Sequence, residues 1–427
     1  MPIYSEINPL KKVIIHSPGI EHHFTLPENT FEWIKDENGK MINNPDYLLF
    51  DDLISPEEMK GEHSQLMNIL KTFTGNKNTI QFWDLLTESV DTFDNKSEIL
   101  EECLKLDYDL YGNNFPIDKS KLLSLNSHQF LHVLLSGRLK NDQITPVLKW
   151  PLPNLIFTRD IAAMVGRTLL LTWAKRNVRK REMLLTKYLV QKHPLFKDIN
   201  TFDFHKYHPD LSIEGGDIIV FDYETLFIGL GERNSKNAIE AILPLCYEEG
   251  FNKIIIVDLP KTRTIMHLDT IFSRISEKDI LVYPPLFHQK EIKGQPISFY
   301  YLEKGQSILD ATPVHHSLED CLKELGHEMN PVHCGGNEPI FQEREQWSDG
   351  ANAFTLRPGK IISYSRNYET LKELENNGYK SVDYMKFFSE KEKWLNYEGK
   401  LTVTIDSAEL PRGRGGPRCL TLPLDRF

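Results

Sequence analysis

The chain has 427 residues, more than one typical hydrophobic core accommodates, so two domains or one large repeat fold with an insertion are expected. Hydrophobic residues make up 40% and charged residues 26%, an ordinary composition for a globular protein. The 50 lysines and arginines against 61 aspartates and glutamates give a net charge of −11. This balance disfavours nucleic acid as the main partner and leaves room for a small cationic substrate.

The cysteines indicate a reducing compartment. There are five, widely scattered, and none forms a C-x-x-C pair, so neither a disulfide framework nor a structural zinc site is indicated. The N-terminus lacks the apolar core of a signal peptide, and no run approaches the roughly 18 apolar residues of a membrane helix. We expect a soluble cytoplasmic protein that binds neither nucleic acid nor a membrane.

The first elements in chain order are a strand and a helix. Residues 11–17 form a short β-branched run closed by Pro18 and Gly19, the pattern of a buried strand. Residues 20–47 are polar and loop-like. A helix then begins at Pro56, with Ser55 as its cap and Glu58 completing a capping box, and it is expected to end near Phe73, before Gly75.

The segment 77–148 differs in character from its surroundings. Its leucine-rich runs at helical spacing predict an inserted α-helical domain, which divides the chain into 1–76, 77–148 and 149–427. His128 and His132 lie four residues apart and so share a helix face, a spacing that is compatible with metal binding. No third ligand is in register, and an ordinary helix face is the preferred interpretation.

After residue 153 a strand–strand–helix–strand pattern recurs. The clearest copy has strands at 217–221, 226–230 and 253–257 with a helix at 235–249, and a second copy spans 353–384. Weaker copies begin near Ile161 and Ile280, and the two chain ends together supply a fifth. Periodic ββαβ units predict an α/β fold in the form of a closed, propeller-like array rather than a doubly wound sheet.

Polar residues of similar kind precede successive predicted hairpins, in the segments 154–160, 214–217, 267–269 and 345–352. Equivalent positions in a closed array point at a shared axis, so these side chains are expected to meet in one pocket. The alternative is that some of the carboxylates only cap turns.

The C-terminal segment 412–419 places Cys419 behind a bend with three glycines and three arginines. The glycines allow close backbone approach to a ligand, and the arginines are expected to favour a thiolate. A disordered basic tail or an RGG-like nucleic-acid segment is the alternative. The apolar alternation of Leu420, Leu422 and Leu424 instead predicts a strand.

The predicted pocket combines the Cys419 thiol, the His267 imidazole and a set of carboxylates that call for a cation: Asp160, Glu214, Asp217 and Asp269. A metal and a guanidinium are the candidates. No H-E-x-x-H or D-x-D-x-D-G pattern is present, whereas two carboxylates match the forked donors of a guanidinium. A guanidinium held by Asp160 and Asp269 would expose its central carbon to a thiolate, and His267 would protonate the departing amine.

Seven motifs carry a resemblance that spans nearly the whole chain. They are LLFDD (48–52), FTRD (157–160), EGGD (214–217), MHLDT (266–270), REQWSDGAN (344–352), PGKIISYSRN (358–367) and GRGGPRC (413–419). In this order the set resembles bacterial arginine deiminases of the guanidine-modifying (pentein) superfamily. The resemblance implies a five-bladed α/β propeller that converts L-arginine and water to L-citrulline and ammonia through an amidino-cysteine, with no cofactor and no metal.

The resemblance also implies a role for each matching residue. Cys419 is the nucleophile, His267 the acid and base, Asp160 and Asp269 hold the guanidinium, and Glu214 supports His267. The substrate-binding set comprises Asn154, Phe157, Arg179, Asp217, Arg233, Gly413 and Arg414, of which Asn154, Arg179 and Arg233 match positions that hold the substrate carboxylate. A homo-oligomer is expected.

Two departures from the family pattern are a tail without methionines after Cys419 and a longer segment at 35–46, which bears on access to the site. Two alternatives remain open at this stage. The chain is either another guanidine-modifying enzyme, such as a dimethylarginine hydrolase or an amidinotransferase, or a catalytically silent arginine-binding protein.

Overall fold

The structure is a computed structural model that describes residues 1–288, 291–292, 294–314 and 317–427. The strands are β1 (Leu10–Ile15), β2 (Trp33–Lys35), β3 (Met41–Asn43), β4 (Thr79–Gln81), β5 (Arg138–Leu139), β6 (Asp142–Pro146), β7 (Ala162–Val165), β8 (Thr168–Leu171), β9 (Asn200–Asp203), β10 (Ile218–Val220), β11 (Thr225–Leu230), β12 (Lys253–Asp258), β13 (Phe272–Arg274), β14 (Asp279–Val282), β15 (Glu291–Ile292), β16 (Gln295–Pro296), β17 (Ser298–Glu303), β18 (Asn330–His333), β19 (Phe354–Arg357), β20 (Lys360–Tyr364), β21 (Tyr379–Asp383), β22 (Lys400–Ile405) and β23 (Leu422–Arg426).

The α-helices are α1 (Pro56–Thr74), α2 (Phe82–Ser89), α3 (Phe93–Tyr111), α4 (Lys119–Leu123), α5 (Ser127–Ser136), α6 (Thr158–Ile161), α7 (Lys180–Lys192), α8 (Phe204–Tyr207), α9 (Lys236–Glu248), α10 (Pro284–His288), α11 (Leu318–Glu324), α12 (Pro339–Trp347), α13 (Tyr368–Asn376), α14 (Tyr384–Ser389) and α15 (Lys391–Leu395). Of the helices in the described part of the chain, none combines the length and the apolar character that a membrane crossing requires.

Five mixed sheets of three or four strands form the framework, and they share one pairing pattern. In each, a first strand pairs antiparallel with a second, and the second pairs parallel with a third that follows a connection containing an α-helix, as parallel pairing requires. The strand orders are β23-β1-β4, β7-β8-β9, β10-β11-β12-β17, β13-β14-β18 and β19-β20-β22-β21.

The strand prediction is confirmed for the unit around β10, β11 and β12, and for the sheet that the two chain ends build together. In that sheet Ile14 of β1 lies opposite Leu422 of β23. The copy at 353–384 is confirmed in its elements, since β19, β20, α13 and β21 lie where the pattern predicts them, and β22 joins the sheet between β20 and β21. Residues 401–405 of β22 are all buried, whereas β21 exposes Lys380 and Asp383, so β22 takes the central position.

Helix α1 supports the C-terminal loop. It ends before Gly75, which has φ 85°, as expected. The predicted capping box is wrong, because the Ser55 side chain caps nothing and its backbone N–H donates to Glu409 Oε2 at 2.7 Å. The buried Glu62 carboxylate on this helix accepts hydrogen bonds from the backbone N–H groups of Glu409 (3.0 Å) and Leu410 (2.9 Å). The helix thereby fixes the start of the segment that leads to Cys419.

The segment 77–148 contains α2, α3, α4 and α5. Its buried leucines and Phe130 belong to the same apolar cluster as Leu169 of β8 and Ile228 of β11. His128 accepts a hydrogen bond from Trp83 Nε1 at 3.3 Å. Within the described residues, neither His128 nor His132 belongs to a group of three metal-type ligands. The five cysteines are all free and buried.

Candidate active site

The segments that precede the first strands of the five sheets converge, as the sequence predicts. They surround a cavity of about 20 Å³, little more than the space that one water molecule needs. A larger ligand therefore requires the surrounding side chains to move. The lining residues are Leu49, Asn154, Phe157, Asp160, Arg179, Arg233, Met266, His267, Thr270, Gly413, Arg414 and Cys419. Nine of the twelve predicted site residues are among them, and Glu214, Asp217 and Asp269 are not.

Cys419 sits at the end of the glycine-rich loop, directly before β23. A Cβ on Gly415 would lie 2.7 Å from Phe157 Cδ1 and 3.1 Å from Cys419 Cβ, closer than real Cβ atoms pack. Only glycine therefore lets this loop pass between the Phe157 ring and the nucleophile candidate. The close approach to a ligand inferred from the sequence stays a prediction.

Asn352 holds the thiol, and sequence reasoning assigned this residue no role. Its Nδ2 donates to Cys419 Sγ at 3.2 Å and to the Asp269 carbonyl oxygen at 2.9 Å. Its Oδ1 accepts from the backbone N–H groups of Arg418 (3.0 Å) and Cys419 (3.2 Å). Asn352 is completely buried. It lies in the motif before β19, but a neutral amide gave no signal of function there.

The environment of the thiol favours the protonated form. Burial, followed by the nearby Asp269 and Asp160 carboxylates, raises the pKa of Cys419 well above its usual value. The expectation that flanking arginines favour a thiolate is wrong for the structure as it stands. Arg412 pairs with Asp52 at 2.7 Å, and Arg418 pairs with Asp269 at 2.6 Å. These two arginines therefore interact with carboxylates rather than with the sulfur.

His267 is surrounded by acidic groups. Its Nε2 lies 3.0 Å from Glu214 Oε2, and its Nδ1 lies 3.8 Å from Asp160 Oδ1. Burial opposes the charged ring, but Asp160, Asp217 and Glu214 together outweigh it and raise the pKa of His267 to about 10. A Cβ on Gly216 would lie 2.8 Å from the ring, so glycine is required beside it. His267 is therefore an imidazolium at neutral pH, able to donate a proton.

Each of the two carboxylates expected to hold a guanidinium has one oxygen engaged and one free. Arg179 Nη1 donates to Asp160 Oδ2 at 2.5 Å, and Arg418 Nη1 donates to Asp269 Oδ2 at 2.6 Å. Asp160 Oδ1 and Asp269 Oδ1 are buried and, among the described residues, have no hydrogen-bond partner. Buried acceptors without a partner cost about 1–3 kcal/mol each. A ligand that donates to both would relieve that cost.

Asp160, Glu214 and His267 place their ligand atoms within 4.8 Å of one another, close enough to hold a metal ion. The same carboxylates already accept a guanidinium, because Arg179 Nη1 lies 2.5 Å from Asp160 and 3.6 Å from Glu214 Oε2. These two carboxylates therefore already pair with a guanidinium of the protein itself.

Arg179 was expected at the far end of the substrate, but its donors are turned towards acidic groups. Besides Asp160, its Nε donates to Glu182 at 2.9 Å and its Nη2 to the Asn154 carbonyl oxygen at 3.1 Å. Burial alone would lower the pKa of Arg179, but the neighbouring carboxylates outweigh burial and raise it. Glu182 was not identified from the sequence, because an isolated glutamate on the helix α7 carries no pattern.

Two other arginines of the cavity have N–H donors that make no hydrogen bond within the described residues. Arg233 lies 3.8 Å from Glu214 Oε1, and its Nε is buried with no partner among the described residues. Arg414 has φ 65°, a strained value for a residue with a side chain. Its guanidinium lies 3.5 Å over the Trp347 ring and 3.7 Å from Asp51 Oδ2, and none of its three nitrogens makes a hydrogen bond in the described part of the chain.

The remaining predicted residues are placed as follows. Asn154 Nδ2 donates to the Leu48 carbonyl oxygen at 2.7 Å, and Phe157 packs against Phe50. Asp217 lies behind His267, where it accepts from the Leu268 N–H at 3.0 Å and burial raises its pKa to about 7. Asp217 therefore contacts the protein rather than the cavity.

The sequence matches a known protein family over most of its length. The arginine deiminase family model matches residues 46–426. The arginine deiminase of Mycoplasma capricolum is 30% identical over 441 residues, covering 99% of this chain and 96% of that protein. Those of Listeria monocytogenes serotype 4a and Staphylococcus aureus are each 29% identical over 442 residues, covering 99% of this chain and 97% and 98% of those proteins.

Among solved structures, the product-bound N-terminal domain of ArgZ, an arginine dihydrolase from cyanobacteria, superposes with a TM-score of 0.51 at 14% identity. The match covers 97% of this chain and 97% of that domain, and it shows a shared α/β fold. The family match over most of the sequence is independent of that likeness. This chain belongs to the arginine deiminase family.

Proposed function

We propose that the protein hydrolyses L-arginine to L-citrulline and ammonia through a covalent intermediate on Cys419. The observation that carries the proposal is the pair of unpartnered, buried oxygens on Asp160 and Asp269, beside a cysteine thiol and an imidazolium. A guanidinium offers N–H donors in a rigid plane, which suits two carboxylates. Family membership supports the same reaction.

The first half of the reaction uses the substrate's own charge. Carboxylates and burial hold the Cys419 proton in place, and a guanidinium bound by Asp160 and Asp269 would offset those negative charges and favour the thiolate. The Cys419 proton then passes to water, the sulfur attacks the guanidinium carbon and a C–S bond forms. The C–N bond to the terminal nitrogen breaks as His267 gives that nitrogen its proton, and ammonia leaves.

The second half restores the enzyme. His267, now neutral, takes a proton from a water molecule, and the hydroxide attacks the carbon of the amidino-cysteine. The C–S bond breaks, the hydroxyl proton of the intermediate passes through water to the departing sulfur, and citrulline is released with the Cys419 thiol restored. Glu214, at 3.0 Å from His267 Nε2, keeps the ring oriented through both steps and stabilises its charged form.

The substrate carboxylate is proposed to lie at Arg233, whose Nε is unpartnered and buried, with Asn154 beside it. Arg179 is proposed to join it there, which requires its Nη1 to leave Asp160. Phe157, Gly413 and Arg414 would close over the bound molecule. We keep Asp217 as a support for the segment of His267 rather than as a substrate contact, because its oxygens accept from Leu268 N–H and Asn234 Nδ2.

The five sheets are proposed to be the blades of a five-bladed propeller, with 77–148 as a helical insertion between 1–76 and 149–427. The repeated pairing pattern and the convergence of the segments before each first strand support this arrangement. We also propose a cytoplasmic homo-oligomer. The hairpin β2–β3, which overlaps the segment 35–46 singled out above, exposes Trp33 and Met41 as apolar contacts for a second copy.

Incubation of the purified protein with arginine tests the proposal, with citrulline and ammonia as products. Cys419→Ala should give no citrulline, and an acid quench of the wild type should trap an adduct on Cys419. Turnover should survive exhaustive chelation, because guanidinium is the cation assigned to the carboxylates. Release of dimethylamine from dimethylarginine would instead indicate a related hydrolase, amidino transfer to an added amine would indicate an amidinotransferase, and arginine binding without turnover would indicate a silent binding protein.

A further inference from the structure

A second cavity, of about 470 Å³, lies where the helical segment meets the end of β1. It shares no lining residue with the cavity at Cys419. Its wall is built from five regions of the chain: the turn after β1, one residue of α1, the end of β4 with the start of α2, one face of α5, and the turn between β5 and β6. The residues are His16, Ser17, Pro18, Gly19, Ile20, Lys60, Gln81, Trp83, Asp84, His128, Gln129, His132 and Lys140.

Two ring nitrogens in this wall lack a protein partner. His16 is 1% exposed, and its Nε2 is used by Glu21 Oε1 at 3.1 Å, while its Nδ1 is buried and makes no hydrogen bond in the described chain. His132 Nε2 is buried and unpartnered in the same way. Buried polar groups in folded proteins are usually hydrogen-bonded, so a small shift of either ring would offer its free nitrogen to a ligand in the cavity.

The charge of the wall selects the sign of the ligand. Lys60 and Lys140 contribute two ammonium groups, and Asp84 is the one carboxylate among the lining residues. Exposed lysines around a concave site attract anions and steer their approach. A neutral or cationic ligand would gain nothing from these groups.

The aromatic part of the wall selects the shape of the ligand. The Trp83 and His128 rings are stacked, with centroids 6.1 Å apart and planes 28° from parallel, and Trp83 Nε1 donates to His128 Nδ1. The hydrogen bond fixes the two rings as one surface. Such a surface pairs well with a second planar group.

We propose that this cavity is a second ligand site, which binds a small organic anion through Lys60 and Lys140, the free nitrogens of His16 and His132, and the Trp83 ring. It is large enough for a molecule of one ring and one anionic group, since ligand sites commonly span about 300–1,000 Å³. The site is separate from the reaction at Cys419, so its occupancy does not depend on turnover.

Calorimetric titration of the full-length protein tests the site with phenyl phosphate and benzoate, which share a ring and a negative charge. Phosphate against carboxylate is thereby distinguished. Inorganic phosphate supplies the charge alone, and benzyl alcohol supplies the ring alone. We expect one of the aromatic anions to bind with one-to-one stoichiometry, at least about tenfold more tightly than either partial probe, and to change Trp83 fluorescence, a change lost in Trp83→Phe.

The paired variants Lys60→Gln with Lys140→Gln should weaken this binding at least about tenfold. The matched control, Lys197→Gln with Lys304→Gln, removes the same charge from two exposed lysines outside the cavity and should leave binding unchanged. His132→Phe is a further variant that keeps the charge of the rim. Melting temperatures confirm that each variant is folded.

Several results would overturn the proposal. One is the absence of binding by both aromatic anions at millimolar concentration. A second is equal affinity of the two double lysine variants for the probe. A third is binding of benzyl alcohol as tight as that of the anions. A fourth is displacement of the probe by arginine in Cys419→Ala, which would place the probe in the first cavity instead.

Discussion

Arginine side chains of the protein itself hold one oxygen of each carboxylate that we propose to grip the substrate. Arg179 fixes Asp160, and Arg418 fixes Asp269. A carboxylate held in this way cannot rotate freely, so its second oxygen keeps one direction before the substrate arrives. For Asp269, which keeps Arg418, such preorganisation reduces the reorganisation needed during the reaction, whereas Arg179 holds Asp160 only until the substrate carboxylate takes its place. The pairing also explains how several carboxylates coexist in a buried site.

Asp160→Asn and Asp269→Asn keep the shape of these side chains and remove the charge. Loss of one partner from a desolvated charge pair costs on the order of 2–5 kcal/mol, so kcat/KM for arginine should fall at least about tenfold in each variant. Steady-state kinetics measure the loss, with the exposed Asp198→Asn as the control. Near-normal efficiency in Asp269→Asn would place the guanidinium elsewhere.

Asn352→Asp separates the two functions of this side chain. The carboxylate keeps an acceptor for the N–H groups of Arg418 and Cys419, but it replaces the donor to sulfur at 3.2 Å with a negative charge. The pKa of Cys419, already raised by burial and carboxylates, should rise further. We expect kcat to fall about tenfold and the alkylation of Cys419 by iodoacetamide to require higher pH. An unchanged alkylation profile would mean that Asn352 does not influence the thiol.

At the scale of elements, the segment that follows β1 contacts the segment that carries Asn154 of the Cys419 cavity. His16 Nε2 and His22 Nδ1 lie 3.1 and 3.2 Å from Glu21 Oε1, and all three side chains are buried. His22 Nε2 lies 3.0 Å from the Pro153 carbonyl oxygen, next to Asn154. This buried network therefore braces the turn that carries a proposed substrate contact.

Glu21 gives this turn a pH-dependent stability. Burial opposes its charge, but hydrogen bonds from His16 and His22 outweigh burial and lower the pKa of Glu21 below its ordinary 4.5. A lowered carboxyl pKa contributes stability that is complete above 4.5 and is lost as pH falls below it. Glu21→Gln should therefore lower the melting temperature at neutral pH, and the gap to wild type should narrow below 4.5.

Thermal melts over a pH series measure this gap, and the exposed Glu28→Gln serves as the control. A gap that stays constant with pH would contradict the role assigned to the Glu21 charge, because a purely steric effect of the substitution does not titrate.

At the scale of the whole molecule, the helical segment and the sheets share one apolar cluster. Leu86 of α2 and Leu134 of α5 belong to it together with Leu169 of β8 and Ile228 of β11. Burial of apolar surface is the main stabilising contribution in folding, and here neither part has that surface to itself. The proposed insertion at 77–148 is therefore expected to depend on the sheets for its stability.

A single cooperative unfolding transition should follow in calorimetry, with equal van't Hoff and calorimetric enthalpies. Substitution of Leu134→Ala within α5 should move the whole transition to lower temperature by removing packing from the shared cluster. The exposed Ile144→Ala is the control. Two separate transitions, of which Leu134→Ala shifts only one, would show that the segment folds independently.

Local patterns in the sequence predicted the order of most elements and the residue types that gather at the site. Alternating apolar residues and turn signals fix strands locally, so the ββαβ copies, the strand after Cys419 and the end of α1 at Gly75 were predictable. The polar residues before each hairpin were predictable for the same reason, because their positions repeat along the chain.

Tertiary structure decided which groups pair, since a pairing depends on segments distant in sequence. Glu409 accepts from the Ser55 N–H in the place expected for Glu58, β22 entered the sheet between β20 and β21, and Asn352 reached Cys419 across 67 residues. The charge state of the thiol was decided in the same way. Nearby arginines in the sequence predicted a thiolate, but in the fold Arg418 pairs with the buried Asp269 and Arg412 pairs with Asp52 at the surface; a buried charge such as that of Arg418 requires a partner.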